Sequence, residues 1–358
     1  LEPLLDYGVN PNQCDQRGRN ALHHALERPS TFTPTIVRRL IVHGGNPECV
    51  NDCGETPLGL ALATGEGDLV HWLRWDGDFS LPLRPLRAID MVMAAKSGDL
   101  AAVKCLQQLG FDTDSRDSLG ASALLHACGA GHDEVAEYLL AAGADYKLAA
   151  NNGVSCLAAT VLGNQPHLAQ RLLDMGAQPD QRLADQATAL HFAAARGNHE
   201  MIELLLQHGA DVHAVNQAGQ DALMMATRHA YDQGNSLRAR RVFDVLLTAG
   251  ASPRHADAHG TTALLFLLGA HAPPGQDGDA THIGALLPSL LAAGALLSAA
   301  DHRGVSPLHA CALHALLAPA RMLLTRGASR EALDSWGRRP VDVARRLGYV
   351  DLARELEG

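Results

Sequence analysis

The stretch Thr188-Ala-Leu-His-Phe-Ala-Ala-Ala-Arg-Gly-Asn-His-Glu-Met-Ile-Glu-Leu-Leu-Leu-Gln-His-Gly-Ala-Asp211 decides the fold. Thr188 can offer a side-chain oxygen to the free amides of a first helical turn, and apolar residues follow at helical spacing. Arg196-Gly-Asn-His199 then reads as a turn, and Met201-Ile202-x-Leu204-Leu205-Leu206 as the apolar stripe of a second helix. Gly209 suits the left-handed residue that closes a helix. One such pair cannot bury its apolar faces alone, so it must stack on copies of itself.

The copies are present. The frame anchored on Leu190 recurs at Leu22, Leu58, Leu124, Leu157, Leu223, Leu264 and Leu308, with degenerate copies centred on Met91 and Val341. From each anchor to the Gly ending the following apolar run, the offsets are 22, 19, 19, 19, 19, 19, 27, 30 and 19; from that Gly to the next anchor the offset is always 14. The unit is therefore 33 residues, and all length variation falls between its two helices. Eight of ten copies place Asn, Thr, Ser or Asp two residues before the anchor, a helix start, and Pro57, Pro307 and Pro340 occupy the next position, where no amide proton is needed. Gly18, Gly54, Gly120, Gly153, Gly219, Gly260, Gly304 and Gly337 stand four before the anchor, where a tight turn asks for positive φ. The pattern predicts an all-α solenoid of about ten stacked helix-turn-helix units with turn fingers. Arg87 and Gln186 replace the finger glycine, and Pro82 and Pro85 crowd the third connection, so these two fingers are expected to be irregular.

These residues resemble the ankyrin-repeat family, through Asp15-x-x-Gly18, Thr56-Pro-Leu58, Thr188-Ala-Leu-His-x-Ala-Ala194, Gly197-Asn-His199 and Leu204-Leu-Leu-x-x-Gly-Ala-Asp211. The resemblance runs from Gly8 to Leu356. It implies a partial unit at 1–14, nine repeats over 15–333 and a capping repeat at 334–358, with Glu355 and Glu357 in otherwise apolar positions as in a solvent-facing cap. Residues 3–8 match only the end of a second helix, so the upstream face of the stack is expected to be uncovered. It further implies a non-enzymatic scaffold that binds another protein through the concave surface of fingers and first helices.

The family's contact positions are the residues six, five and three before the anchor and five and six after it. In the central units these are Ser118, Leu119, Ala121, Gly129 and Ala130, then Asn151, Asn152, Val154, Leu162 and Gly163, a small and apolar set. Toward the ends they become Arg17, Arg19, Glu27 and Arg28 on one side, and Arg228, His229, His302, Arg303, His314, Trp336, Arg338 and Arg346 on the other. An apolar centre with an arginine rim suits a partner presenting an apolar segment with acidic flanks. The chain itself is expected to be monomeric. Insertions near 29–34, 228–241 and 271–284 share the edge opposite the fingers and read either as surface insertions, the last a polar loop, or as a second contact site.

Composition fits this reading and narrows the alternatives. The 358 residues hold 34 Gly but only 3 Trp, 5 Tyr and 6 Phe, too few aromatics for two or three ordinary cores and suited to thin, repeated helix pairs. The formal charge of -10 argues against nucleic acid and anionic membranes as partners. Residues 283–300 carry no charge, as a membrane span would, but Pro288 and Gly294 interrupt them and the repeat frame accounts for them. Seven Cys without a repeated C-x-x-C, and with Cys105, Cys128, Cys156 and Cys311 inside apolar runs, favour a reducing cytoplasmic compartment. No secretion signal follows Leu1; a microbial protein acting on host targets would be delivered into the host cell.

No cofactor, metal site or catalytic group is expected. The chain contains no G-x-S-x-G, G-x-x-x-x-G-K-[ST] or H-E-x-x-H string. His23, His191 and His309 stand at helix starts and His132 and His199 at helix turns, where bonds to backbone suffice. His255-Ala-Asp257-Ala-His259 with His302 could collect a zinc ion, against the plainer reading of solvated finger residues, and Cys49-x-x-x-Cys53 lacks a second ligand pair. The alternative to a free-standing scaffold is the targeting segment of a larger enzyme or secreted effector or toxin, whose catalytic domain lies outside these residues.

Overall fold

The computed structural model describes residues 2–27, 29–63, 86–233, 236–276 and 279–358. Arg28, Pro82 and Pro85, and Gly77 that ends the second unit's apolar run, lie outside the described residues. The chain divides into two compact units, residues 1–159 and 160–358. Among the described residues the regular elements are helices, and some fingers add a single antiparallel bridge, such as Ala256 with Thr262.

In residues 160–358 the pairs are Ala189–Ala195 with His199–Gln207, Ala222–Gln233 with Ser236–Thr248, Ala263–Leu267 with Ala280–Ala292, Pro307–Leu313 with Leu317–Thr325, and Pro340–Arg346 with Val350–Glu357. Each first helix packs on the next first helix and each second helix on the next second helix, giving two layers around one core. The anchors Leu190, Leu223, Leu264 and Leu308 are buried between layers, with Ile202, Leu205, Leu246, Leu287 and Leu323 from the second helices. Full burial of such a side chain contributes about 1.5–3 kcal/mol. In residues 1–159 the same arrangement is made by Ala21–Glu27 with Thr33–Val42, Ala88–Ser97 with Leu100–Gln108, and Ala123–Ala130 with Asp133–Ala141. Pro57–Ala63 is a further first helix in this unit.

Helix starts follow the residues identified in the sequence. The oxygens of Ser122, Ser155 and Asp221 accept the amides of Leu125 (3.2 Å), Ala158 (3.2 Å) and Met224 (2.8 Å). Where an arginine takes this place the bond runs in reverse: Asp90 and Asp342 accept the amides of Arg87 (2.8 Å) and Arg339 (2.9 Å). Arg87 is extended (φ -131°, ψ 161°), so the third helix pair begins at the finger position itself and the expected irregularity is present there. The sixth finger is regular despite Gln186, which takes φ 62° and donates its amide to Leu183 at 2.9 Å.

One expectation, for residues 283–300, is corrected. Pro288 does not interrupt the uncharged run; it lies inside the helix Ala280–Ala292, and only Gly294 (φ 96°) ends it. The extra residues near 228–241 go into helix: Ala222–Gln233 and Ser236–Thr248 have 12 and 13 residues, against 7 and 9 in the preceding pair. Both stripes of the longer pair continue to bury residues, including Ala230, Tyr231 and Ala239, which is why the insertion is helical. No helix of the described residues is long and apolar enough to cross a membrane.

Gly304 and Gly337 separate backbone conformation from packing. Both have positive φ (74° and 72°), but a Cβ on Gly304 would stand 2.8 Å from the Asp334 Cα of the next finger, whereas one on Gly337 would meet nothing within 4 Å. Gly304→Ala should cost about 3 kcal/mol or more and Gly337→Ala about 1 kcal/mol in denaturant unfolding. Gln186→Gly should stabilise by about 1 kcal/mol. Equal losses at the two glycines would contradict the finger packing.

Candidate protein-binding surface

Each finger is shaped by one side-chain oxygen. Asp15 Oδ1 accepts the amides of Arg17 (2.8 Å) and Arg19 (3.0 Å), Asp117 Oδ1 those of Leu119 (2.8 Å) and Ala121 (2.9 Å), Asp301 Oδ1 those of Arg303 and Val305 (both 2.9 Å), and Asp334 Oδ1 those of Trp336 and Arg338 (both 2.9 Å). Asn51, Asn216 and Asp257 do the same. Ala150 and Leu183 hold this place in two fingers and cannot, and there Asn152 and Asp185 accept one amide each instead. Asn152, expected as a contact residue, is thus also part of its finger's frame.

Neighbouring fingers are joined backbone to backbone. In residues 160–358 the amides of Gln217, Ala258, His302 and Ser335 donate to the carbonyls of Asp185, Ala218, His259 and Arg303 at 2.8–3.0 Å; in residues 1–159 Asp52 donates to Arg17 (3.0 Å) and Asn151 to Leu119 (2.9 Å). The helix-start histidines add a second tie. His191 Nε2 donates to the Gln220 carbonyl (3.0 Å) while Nδ1 accepts the Thr188 amide (3.1 Å); His309 does the same with Arg338 (2.9 Å) and Ser306 (3.3 Å). The carbonyl fixes the proton on Nε2 and leaves Nδ1 as the acceptor, so each ring is held in one neutral tautomer.

Against this frame the expected contact residues separate into free and committed groups. Arg17 and Trp336 are exposed, Trp336 by 66%, and Leu119 is the exposed large apolar side chain of its finger. Val154 and Leu162 are half-buried, and Ala121 is buried, so the apolar centre is smaller than its residue types suggested. Arg19 is committed to Asp15 (2.7 Å) and Glu27 (2.8 Å), and its guanidinium holds the Asp15 carboxyl well below the usual range. Arg303 bonds Asp301 and the Ala270 carbonyl, Arg338 bonds Asp334, and His229 packs against the turn at Gly197. Arg17, Arg228 and Arg346 have no side-chain partner among the described residues. Arg28 lies outside them.

His314 is a correction. It is 1% exposed, with Nδ1 donating to the Gln276 carbonyl (3.0 Å) and its ring edge-on to Tyr231. The repeat frame places this position at the surface, but the 271–284 insertion of the preceding pair folds over it, pinned by Gly275 N to Leu313 O (3.0 Å) and by the Tyr231 hydroxyl to Gln276 O (3.2 Å). Two of the four residues offered to zinc are engaged by the fingers themselves: His255 Nε2 donates to Gly219 O (2.9 Å), and Asp257 Oδ1 is taken by two amides.

The same insertion walls a groove that the sequence did not reveal. A pocket of about 620 Å³ runs from Trp336 and Arg338 on the finger side, across Val305, Leu313 and Val343, to Arg346 and to Pro274 of the insertion. A second pocket of about 460 Å³ shares Arg303 and extends toward Arg228, His259 and Phe266. The Arg338 guanidinium lies 4.6 Å from the Trp336 ring centre, so the indole is backed by a cation while much of its surface stays open. Asp301 and Asp334 are ion-paired one to one with Arg303 and Arg338, so Arg346 leaves the groove lining with net positive charge.

Stacked helix pairs with hydrogen-bonded fingers and an open finger-and-first-helix face define a class of repeat modules built for interaction. The chain belongs to the ankyrin-repeat family: the family model described as ankyrin repeats in three copies matches residues 1–80, 91–182 and 155–257. Ankyrin repeats form protein-protein interaction domains and are generally non-catalytic. The chain is 27% identical over 207 residues to the E3 ubiquitin-protein ligase KEG of Arabidopsis thaliana, covering 54% of this chain and 13% of that protein. It is 29% identical over 245 residues to the mouse B-cell lymphoma 3 protein homolog, covering 65% and 51%. A putative ankyrin repeat-containing protein of Treponema pallidum (strain Nichols) is 32% identical over 135 residues, covering 37% of this chain and 45% of its own length, so the chain spans about half or less of these relatives. The ankyrin repeat domain of Bcl-3, a solved structure, aligns with TM-score 0.49 and 22% identity over 74% of this chain and 97% of that one.

The buried rings make stability depend on pH. Burial pushes His191, His271, His309 and His314 below the ordinary imidazole value of 6.5. The unfolded chain takes up protons at these rings as pH falls through about 6.5 while the folded chain resists, so stability is whole above that pH and is lost below it. Asp117 and Asp334, held below 3.8, add their loss only in stronger acid. The urea midpoint should fall between about pH 6.5 and pH 5 and fall less steeply in His309→Gln. A midpoint flat across this range would contradict the neutral-ring assignment.

Proposed function

We propose that the chain is a non-enzymatic scaffold that holds a partner protein on its concave finger and first-helix surface, and that the main contact in residues 160–358 is the groove between Trp336 and Pro274. The observation that carries this reading is an exposed Trp336 beside an apolar floor, with Arg346 and Arg228 unpaired among the described residues. Desolvated Trp and Arg dominate binding energy at protein interfaces, and a basic groove favours an acidic segment. The occupant is a segment with an apolar or aromatic anchor flanked by Asp or Glu. In residues 1–159, Arg17 and Leu119 offer the corresponding exposed positions.

A second reading is the targeting segment of a larger enzyme, favoured by the 13% of the KEG ligase that the chain spans. The full-length reading frame separates the two, because a catalytic domain beside the repeats would support the second.

Partners captured from the native organism and identified by mass spectrometry supply the ligand for a binding assay. Trp336→Ala and Arg346→Glu should each weaken binding by about tenfold or more, about 1.4 kcal/mol, with little change in Tm, and affinity should fall with added salt. Undiminished binding by both variants would move the contact out of this groove; if Leu119→Arg combined with Leu162→Glu also bound normally, the concave-surface reading would fail.

A further inference from the structure

We infer that Cys14 and Cys49 are a thiol modification site, closing to a reversible disulfide that couples two neighbouring fingers. Their sulfurs lie 3.7 Å apart, one on each finger. Cys14 is exposed and Cys49 half-buried, whereas Cys105, Cys128, Cys156 and Cys311 are buried. Burial pushes the Cys105 thiol up to about 12 and raises Cys311 strongly, and a hydrogen bond with Cys156 together with burial raises Cys128, so these three are not readily ionised.

The chain on either side of the pair is tied across the two fingers. On one side of the pair the Asn12 amide donates to the Gly44 carbonyl (2.8 Å) and its oxygen accepts the Asn46 amide. On the other side Asp52 donates to the Arg17 carbonyl (3.0 Å). These ties hold the two fingers side by side with the sulfurs 3.7 Å apart, against a disulfide bond of about 2.05 Å.

The chemistry takes a low-molecular-weight disulfide such as glutathione disulfide as oxidant. The exposed Cys14 loses its proton and its thiolate attacks one sulfur of the oxidant, breaking that S–S bond and releasing one glutathione thiolate. Cys49 then loses its proton and attacks Cys14 Sγ of the mixed disulfide, forming Cys14–Cys49 and releasing the second glutathione. The protein loses two protons and two electrons, and the oxidant is reduced to two thiols. Burial and the Cys14 neighbour raise the Cys49 pKa, so the closing step speeds up with pH. The product locks the Arg17 finger to its neighbour, at one end of the proposed contact surface.

The test equilibrates the full chain in glutathione buffers of increasing oxidising ratio, quenches with acid, alkylates, and reads intact mass and peptide maps. The expected result is a loss of two hydrogens, loss of alkylation at both residues and a Cys14–Cys49 cross-linked peptide, unchanged in Cys53→Ser and reversed by dithiothreitol. Cys14→Ser and Cys49→Ser should instead leave the surviving thiol alkylated or carrying a single glutathione. Persistence of both thiols at the most oxidising ratio, or a cross-link from either residue to Cys53, would overturn the assignment.

Discussion

One side-chain oxygen holding two backbone amides, in seven of the described fingers, is the constraint on which the rest depends. Asp301 and Asp334 are almost wholly inaccessible (side-chain exposures of 2% and 1%), and burying a carboxylate is unfavourable unless it is fully bonded. Two amides and an arginine bond each of them, and the turn this imposes is what puts the following glycine at positive φ. That turn presents a carbonyl to the next finger and another to the histidine of the preceding helix start, so finger shape, finger spacing and helix start are fixed together.

Most of this frame was legible because it is written in residues with narrow conformational roles. Glycine at the helix stop and finger turn, and Thr, Ser, Asn or Asp at the cap, each have one local reason to recur at a fixed offset. Gln186 was misread because a position shaped by glycine can be held by another residue when the neighbouring finger bonds around it. Pro288 was misread because a proline in a helix removes one bond without ending a helix that is buried along its length.

The candidate site was less legible, for a different reason. Contact positions taken from the frame assume that each pair ends where its neighbours do. His314 obeys the frame and is nevertheless buried, because residues from an earlier pair cross over it; Arg19, Arg303 and Arg338 obey it and are nevertheless engaged by carboxylates two to eight residues away. Local spacing reports where a side chain starts, not what reaches it from 40 residues off. The groove at Trp336 is a product of that long-range crossing and has no signature within a single 33-residue unit.

The place of the insertions has a wider consequence. Because extra residues enter only between the anchor and the helix stop, as loop or as longer helix, they leave the 14-residue link from helix stop to next anchor untouched. The wall that carries Pro274 can therefore lengthen, shorten or change composition while the stacked core beneath it stays as it is. The wall of the groove and the stacked core are written in separable parts of the repeat, so a lineage can reshape the groove without reopening the problem of how the chain stands up.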